Sequence, residues 1–201
     1  MKLYHIFTGE LGVNSYFLVT EEGRGAVIDP GEDAEAVFAF AEKKGFTLEN
    51  CYLTHGHFDH MGCCKALQDA GVKIYVSQAD AEKLYTDKND GALFGHKTEP
   101  VHADFTFNDG DVLDFYGFSL RVMATPGHTA GSVCFLTELG IFSGDTLFYE
   151  SVGRTDLSDG NDEDMARSLK KLVSLKGNFT VYPGHGRATT LEHEKEFNPY
   201  L

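Results

Sequence analysis

Three imidazoles and one carboxylate lie within six consecutive residues of this 201-residue sequence. The segment 54–60 reads Thr-His-Gly-His-Phe-Asp-His, and its candidate ligands are His55, His57, Asp59 and His60. Imidazole nitrogens and carboxylate oxygens are the usual protein ligands of zinc, iron and manganese. An ordinary surface loop rarely concentrates histidine in this way, so the segment predicts a metal site.

Three further side chains that can bind a metal have the same kind of setting. His128, Asp145 and His185 each lie in a glycine-containing loop just after a predicted strand. Binding residues often gather in loops at strand ends, and glycine lets the backbone turn sharply beside an ion. Each of the three would be an ordinary polar residue if taken alone, but the seven together indicate one metal centre. The remaining histidines lack this setting and are interpreted as ordinary residues: His5, His96, His102 and His193.

The hydrophobic pattern predicts the elements that position these loops. Predicted strands are 3–7, 15–20, 25–28, 51–53, 73–76, 132–137, 141–142 and 179–182, with a hairpin at 112–124. Predicted helices are 33–44, 61–70 and 162–175, and residues 86–104 read as a long polar surface excursion. Both halves are rich in strands and contain helices, which favours two packed sheets with helices outside, in a single domain.

Composition excludes several partners and compartments. The formal net charge is -14 and the sequence pI is about 4.9, so nucleic acid and anionic membranes are poor partners. An anionic substrate would need a local positive group. The N-terminus has no apolar stretch typical of a signal peptide, and no window approaches 18 apolar residues, so a soluble cytoplasmic protein is expected.

The four cysteines do not form a disulfide framework or a C-x-x-C pair. Cys63 and Cys64 are adjacent, and Cys51 and Cys134 lie in apolar runs. Free cysteines in such runs behave as small buried hydrophobic residues. We therefore expect four free thiols that take no part in metal binding.

The complete ligand pattern resembles the metallo-β-lactamase superfamily, and the likeness covers nearly the whole chain. The resemblance implies an αββα sandwich, of mixed α/β class, over residues 1–201. It also implies two divalent metal ions, with zinc expected and iron or manganese as alternatives. The first ion would be bound by His55, His57 and His128, and the second by Asp59, His60 and His185. Asp145 would bridge the two ions, which lie about 3.5–4 Å apart in such centres.

Within that superfamily the second half of the chain is similar to glyoxalase II and its short bacterial relatives. The similar segments are 144–148 (Gly-Asp-Thr-Leu-Phe), 153–157 (Gly-Arg-Thr-Asp-Leu) and the tail from Pro183. Sixteen residues follow His185, so no separate C-terminal helical domain for glutathione is expected. Arg154 stands where glyoxalase II has a lysine that pairs with a glutathione carboxylate, and Arg187 stands where it has a tyrosine.

The resemblance implies hydrolysis of a small thioester of the S-2-hydroxyacylglutathione type by a hydroxide that bridges the metal ions. Asp59 would orient the hydroxide as well as bind metal. Arg154 would contact the substrate, or would pair with Asp156 to brace its loop. Asp29 would orient a histidine ligand, or would only form a turn before a helix. The oligomeric state is left open.

Other functions share parts of the same pattern. Persulfide dioxygenases have this fold and a similar Gly-Arg-Thr-Asp loop but use one iron to oxidise glutathione persulfide. A lactonase or another ester hydrolase would use the same metal ligands. A secreted β-lactamase is disfavoured because the chain has no signal peptide and no cysteine ligand, and a nuclease is disfavoured by acidity. A non-enzymatic metal-binding protein would be favoured by a missing ligand, and none is missing.

Overall fold

The structure is a computed structural model that describes residues 1–201. The chain forms two compact units, residues 1–106 and 107–201. The first unit contains a six-stranded sheet whose spatial order follows the sequence. Its strands are β1 (Lys2–Thr8), β2 (Val13–Val19), β3 (Arg24–Ile28), β4 (Thr47–Tyr52), β5 (Lys73–Ser77) and β6 (Phe105–Phe107). β3, β4 and β5 are parallel, so the segments that follow them emerge at the same sheet edge.

The helix predicted after β3 is confirmed, together with its boundaries. Helix α1 (Ala34–Lys44) begins where the Asp33 side chain accepts a hydrogen bond from the Ala36 amide at 2.9 Å. It ends at Gly45, whose φ of 74° is left-handed and therefore suits glycine. Aspartate at the N-cap and glycine at the C-cap are the signals that made this helix predictable.

The helix predicted over 61–70 is wrong as a single element. The structure has two shorter helices, α2 (Phe58–Met61) and α3 (Cys64–Asp69), with a break at residues 62–63. The Cys63 amide donates to the carbonyl of Gly31 at 2.8 Å, and the Cys63 thiol contacts the same carbonyl at 3.0 Å. This bond replaces an intrahelical one and separates the two helices. Asp59 and His60 lie in the first of them, α2.

Residues 86–104 were predicted as a polar surface excursion, and this prediction is confirmed for most of the segment but is wrong for residues 89–91 and Val101, which are buried. Three short 3₁₀ helices cover Ala81–Tyr85, Asp87–Asn89 and Gly91–Phe94. Asn89, Asp90 and Gly91 are buried. The buried polar atoms of the Asn89 side chain are hydrogen-bonded. Its Nδ2 donates to the Lys83 and Thr86 carbonyls, and its Oδ1 accepts from the Gly91 amide. The polar composition reflects internal hydrogen bonding here, not solvent exposure.

The core of the first unit is apolar and includes three of the cysteines. Representative members are Phe17, Val27, Val37, Leu67 and Ile74. Cys51, Cys63 and Cys64 lie in the same cluster. All four cysteines of the chain are free and buried, and burial had been predicted for Cys51 and Cys134. Desolvation raises the pKa of the Cys51 and Cys63 thiols, and raises that of Cys134 to about 11. These thiols stay protonated near neutral pH.

The second unit contains another six-stranded sheet, in the order β14-β13-β10-β9-β8-β7. Its strands are β7 (Val112–Phe115), β8 (Phe118–Ala124), β9 (Val133–Thr137), β10 (Gly140–Gly144), β13 (Thr180–Pro183) and β14 (Thr189–Thr190). A small hairpin joins β11 (Leu147–Phe148) to β12 (Ser151–Val152), and two helices follow: α4 (Asp162–Val173) and α5 (Leu191–Phe197). The predicted 112–124 hairpin is confirmed, with Tyr116 and Gly117 at φ of 51° and 81° in its two-residue turn.

Helix α4 supplies much of the apolar core of this unit. Asn161 is its N-cap, as predicted, and accepts a hydrogen bond from the Asp164 amide at 3.0 Å. Met165, Leu169 and Leu172 are buried against β-strand residues. Burying each such side chain stabilises the fold by about 1.5–3 kcal/mol. Nowhere in the chain does a helix have the length and apolar character needed to cross a bilayer.

A buried carboxylate fastens the C-terminal helix to the β11–β12 hairpin. Glu194 is fully buried, and its Oε2 accepts from the Glu150 amide and from Asn198 Nδ2, both at 2.8 Å. Its Oε1 accepts from the Thr189 hydroxyl at 2.6 Å. Asn198 also donates to the Ser151 carbonyl at 3.1 Å. The buried Glu194 carboxylate thus accepts hydrogen bonds from three donors. Through these bonds the C-terminal helix fixes the position of the hairpin turn.

Replacing this carboxylate should destabilise the protein. Glu194→Gln keeps the side-chain volume but puts an NH₂ group opposite donors, so we expect a loss of about 1–3 kcal/mol in the free energy of unfolding. Urea denaturation followed by circular dichroism measures it. Glu196→Gln on the exposed side of α5 is the matched control and should change stability by less than about 0.5 kcal/mol. Equal stability of the two variants would contradict the assigned role.

Candidate metal centre

The first unit gathers four of the predicted ligands just beyond the end of β4. His55 follows the strand closely, His57 is the residue before α2, and Asp59 and His60 lie within that short helix. All four are buried. The ring of His55 lies 4.9 Å from that of His57 and 4.2 Å from that of His60, while His60 Nε2 is 3.7 Å from Asp59 Oδ2. Four metal-binding side chains therefore converge on one buried spot.

Asp29 orients two of these histidines. Its carboxylate accepts hydrogen bonds from the Thr54 amide at 2.8 Å and from the Thr54 hydroxyl at 2.7 Å. Asp29 Oδ2 also lies 3.1 Å from His60 Nδ1. The Thr54 hydroxyl gives its only proton to Asp29, so its oxygen accepts from His55 Nδ1, 3.1 Å away. These neighbours favour a proton on Nδ1 of both rings, for His60 through the charge of Asp29, and would keep each Nε2 lone pair for a metal.

The backbone explains why Asp29 can reach this position. It follows β3, whose parallel neighbour β4 leads to Thr54, and its own amide donates to the Tyr52 carbonyl at 3.1 Å. Its φ of 51° lies in the left-handed region, which aspartate tolerates better than most residues. Of the two interpretations of Asp29 from sequence, these contacts support the one in which it orients a histidine.

Two acidic residues that sequence reasoning missed support the same segment. Asp80 is fully buried, and its Oδ2 accepts from the Gly56 amide at 2.8 Å. Asp90 Oδ2 lies 3.3 Å from His57 Nε2, and its charge favours a proton on that nitrogen, which would leave Nδ1 as the metal-binding atom. The only local signal at Asp90 is its Asn-Asp-Gly setting with a φ of 63°, which also describes a plain turn. Nothing in the sequence pairs it with His57.

Gly56 has a steric reason to be glycine. A Cβ at this position would lie 2.8 Å from Lys83 Cβ and 3.2 Å from the Asp80 carbonyl oxygen. A larger residue would push the loop away from the Asp80 carboxylate that fixes it. The glycine between His55 and His57 therefore keeps both rings in place.

The second unit gathers the other three predicted ligands. β8 and β10 run in the same direction on either side of β9, and β13 is parallel to β10, so their following loops meet at one sheet edge. His128, Asp145 and His185 lie in these loops. Asp145 Oδ2 is 3.5 Å from His128 Nε2 and 3.6 Å from His185 Nε2. A carboxylate flanked by two imidazole nitrogens is a metal-binding arrangement.

The loop after β12 packs directly on these ligands. His128 Nδ1 donates to the Arg154 carbonyl at 2.7 Å, so Nε2 keeps its lone pair on the side of Asp145. A Cβ on Gly153 would lie only 1.8 Å from the Asp145 carbonyl oxygen and 3.3 Å from His128 Cγ. Glycine is required there, and the Gly-Arg-Thr-Asp segment holds the metal ligands through its backbone.

The side chain of Arg154 has a different partner from the one a substrate contact requires. Its guanidinium bonds Asp156 in a bidentate manner, with Nε–Oδ1 at 2.6 Å and Nη2–Oδ2 at 2.8 Å. This pairing lowers the pKa of Asp156 to about 2. Both side chains are exposed. The geometry matches the loop-bracing interpretation, and the substrate contact of Arg154 stays a prediction.

The donor set fits divalent metal ions. The seven predicted ligands supply five imidazoles and two carboxylates. Nitrogen and oxygen donors suit zinc, iron and manganese. The orienting contacts leave a chosen ring nitrogen available on His55, His57, His60 and His128. The other histidines have separate surroundings: His5 bonds Asn14, His96 pairs with Glu32, His102 stacks on Tyr85, and His193 pairs with Glu150.

Comparison with known proteins identifies the family. A family model described as the metallo-beta-lactamase superfamily matches residues 8–185. The chain belongs to this superfamily. Its fold is the mixed α/β metallo-β-lactamase fold with two sheets, as predicted.

Two curated relatives are similar over nearly their full length. A hydroxyacylglutathione hydrolase, GloC, of Haemophilus influenzae is 34% identical over 94% of this chain and 92% of its own. An uncharacterized protein, Rv2581c, of Mycobacterium tuberculosis is 37% identical over 96% of this chain and 94% of its own. The similarity to the first fits the glyoxalase II-like interpretation of the sequence.

Three solved structures have the same fold. BLEG-1 B3 metallo-beta-lactamase has a TM-score of 0.94 and 33% identity, and covers 100% of this chain and 99% of its own. TTHA1623 in a di-iron-bound form has a TM-score of 0.88 and 33% identity, covering 98% and 100%. ETHE1 from Myxococcus xanthus has a TM-score of 0.83 and 26% identity, covering 99% and 84%.

Removing the orienting carboxylate should weaken metal binding. Asp29→Asn keeps the shape but replaces a charge that faces His60 and Thr54, so we expect zinc affinity to fall about 10–100-fold. Competition with a chromogenic chelator measures the affinity. Asp33→Asn is the matched control, because asparagine caps α1 as well as aspartate does. Unchanged affinity in Asp29→Asn would show that Asp29 only forms a turn.

Proposed function

We propose that this protein is a metal-dependent hydrolase of small thioesters of the S-2-hydroxyacylglutathione type. Family membership supports a metallohydrolase, and the similarity to a hydroxyacylglutathione hydrolase supports the substrate class. The observation that carries the proposal is the oriented ligand groups, in which buried histidines present one chosen nitrogen each. No separate nucleophilic side chain is then required for hydrolysis.

In this proposal the two ligand groups bind two divalent ions. His55, His57 and His128 hold the first, Asp59, His60 and His185 hold the second, and Asp145 is shared. Zinc is the expected metal, although the similar TTHA1623 structure is di-iron-bound. Bound divalent ions would polarise the substrate carbonyl and lower the pKa of water toward neutrality.

The chain's own residues position the reactants. Asp59 is buried beside His60, and its carboxylate would accept a hydrogen bond from the attacking water and so orient it. Burial of the ligands limits competing solvent and strengthens each electrostatic contact. The leaving thiol has a pKa near 8.5, so it departs as a thiolate without a strong general acid.

Loss of one ligand should abolish thioester hydrolysis. His57→Ala removes a metal ligand, and we expect kcat/KM for S-lactoylglutathione to fall about a thousandfold, because metal catalysis contributes several kcal/mol. Release of free thiol, detected with a chromogenic reagent, gives the rate for zinc-loaded protein. His102→Ala, exposed and outside the ligand groups, is the matched control and should keep full activity.

A panel decides whether the substrate class is right. Thioesters, lactones and a β-lactam are assayed with the wild-type protein, the last because of the similarity to BLEG-1 B3 metallo-beta-lactamase. The proposal expects thioesters to have the highest kcat/KM. Preference for lactones or β-lactams, or no turnover beyond that of His57→Ala, would overturn it.

The similarity to ETHE1 from Myxococcus xanthus favours one second candidate, an iron-dependent persulfide dioxygenase. The two functions differ in metal count and in oxygen consumption. Metal analysis of the purified protein, together with an oxygen electrode and glutathione persulfide, separates them. One iron per chain with rapid oxygen uptake would establish the dioxygenase and exclude the hydrolase.

A further inference from the structure

We infer that Arg187 binds a carboxylate on the thiol carrier of the substrate, so that anionic thioesters are preferred over neutral ones. The inference rests on the proposed function and adds the substrate's charge to it. Four observations within the second unit carry it: the position of Arg187, its lack of an ion pair, its rigid support, and an adjoining cleft.

Arg187 lies two residues beyond the predicted ligand His185. Two residues of extended chain span at most about 7 Å, so the base of this side chain is close to the metal centre. The hairpin residue Phe148 also contacts the ligand, with its ring edge-on to the His185 ring at 6.1 Å. Tyr149, the next residue, carries the guanidinium of Arg187 over its ring at 3.4 Å from the centroid.

The charge of Arg187 is not neutralised by an ion pair. Three of the other four arginines pair with acidic residues: Arg24 with Glu49, Arg154 with Asp156, and Arg167 with Asp164. The Glu150 carboxylate attracts Arg187 electrostatically but forms no salt bridge with it, and is hydrogen-bonded by Tyr149 and by His193 Nε2, the latter at 3.0 Å. In a chain of net charge -14, a guanidinium without a salt bridge near the predicted ligand His185 is a local source of positive charge.

The aromatic support fixes the guanidinium by its face, and a hydrogen bond between Arg187 and the Tyr149 hydroxyl adds to this support. Two further rings lie below Tyr149. The ring centroids of Tyr149 and His193 are 4.9 Å apart, with the rings 19° from parallel. The ring centroids of His193 and Phe197 are 4.8 Å apart. Stacking occupies the face of a guanidinium, and the in-plane N–H groups that do not bond Tyr149 can bind a carboxylate. Glu194 in turn holds the turn that carries Tyr149, through the Glu150 amide.

A cleft of 380 Å³ lies beside this stack. Its lining consists of Tyr149, Arg187, Ala188, Thr189, Thr190 and His193. The Tyr149 ring and the threonines offer surface to a flexible chain, and Arg187 offers the only positive charge that is permanent at neutral pH. A thiol carrier with a terminal carboxylate, such as glutathione or a mercapto acid, fits this chemistry better than a neutral thiol.

Three thioesters with the same lactoyl group isolate the charge effect: those of glutathione, 3-mercaptopropionate and the neutral N-acetylcysteamine. We expect Arg187→Gln to raise KM about tenfold for the two anionic carriers with kcat unchanged, and to leave the neutral carrier unaffected. Arg187→Lys should retain part of the preference. Arg121→Gln, which removes an exposed arginine on β8 that forms no ion pair, is the matched control and should behave as wild type.

A binding measurement keeps the inference separate from the proposed function. Calorimetric titration of zinc-loaded protein with S-methylglutathione, which has no thioester, should show binding by wild type and by Arg121→Gln, and about tenfold weaker binding by Arg187→Gln. Loss of thioester turnover with this binding difference intact would overturn only the hydrolase. Equal binding by wild type and Arg187→Gln, or no binding by wild type, would overturn the inference even if thioesters are hydrolysed.

Discussion

The ring nitrogen on which each buried histidine carries its proton is the constraint on which the metal centre depends. His55 and His60 are oriented by Asp29, directly or through the Thr54 hydroxyl, and His57 faces Asp90. In the second unit the Arg154 carbonyl orients His128. A histidine without such an acceptor could carry its proton on either ring nitrogen. Selecting one tautomer on metal binding would then cost free energy and weaken the affinity for the metal. Here the acceptors are built into the fold, so binding needs little reorganisation.

The supporting elements are arranged to hold these acceptors. Parallel pairing of β3 and β4 brings Asp29 to Thr54, and the early start of α2 places His60 against Asp29. The tight packing of Gly153 on Asp145 brings the Arg154 carbonyl to His128. Backbone geometry and buried carboxylates therefore act together, and much of the acidic character of the chain near the ligands is structural.

The candidate ligands could be selected from the sequence because their types are rare and their loops follow recognisable strands, and the structure brings them into two groups. The acceptors could not. Asp80 and Asp90 look like other acidic residues in a polar segment, and a backbone carbonyl such as that of Arg154 leaves no mark in the sequence. The break between α2 and α3 was also missed, because it comes from the bond of Cys63 to Gly31, 32 residues away along the chain. Helix α1 and the 112–124 hairpin were predictable because their caps and turn are local.

The central proposal is that the two groups of candidate ligands together bind two metal ions. Anomalous diffraction from crystals of the zinc-loaded protein, collected on both sides of the zinc absorption edge, tests it most directly. The account predicts two peaks about 3.5–4 Å apart, with Asp145 between them. It also predicts coordination through Nδ1 of His57 and Nε2 of His55, His60 and His128. A single peak, or coordination through the opposite ring nitrogens, would contradict it.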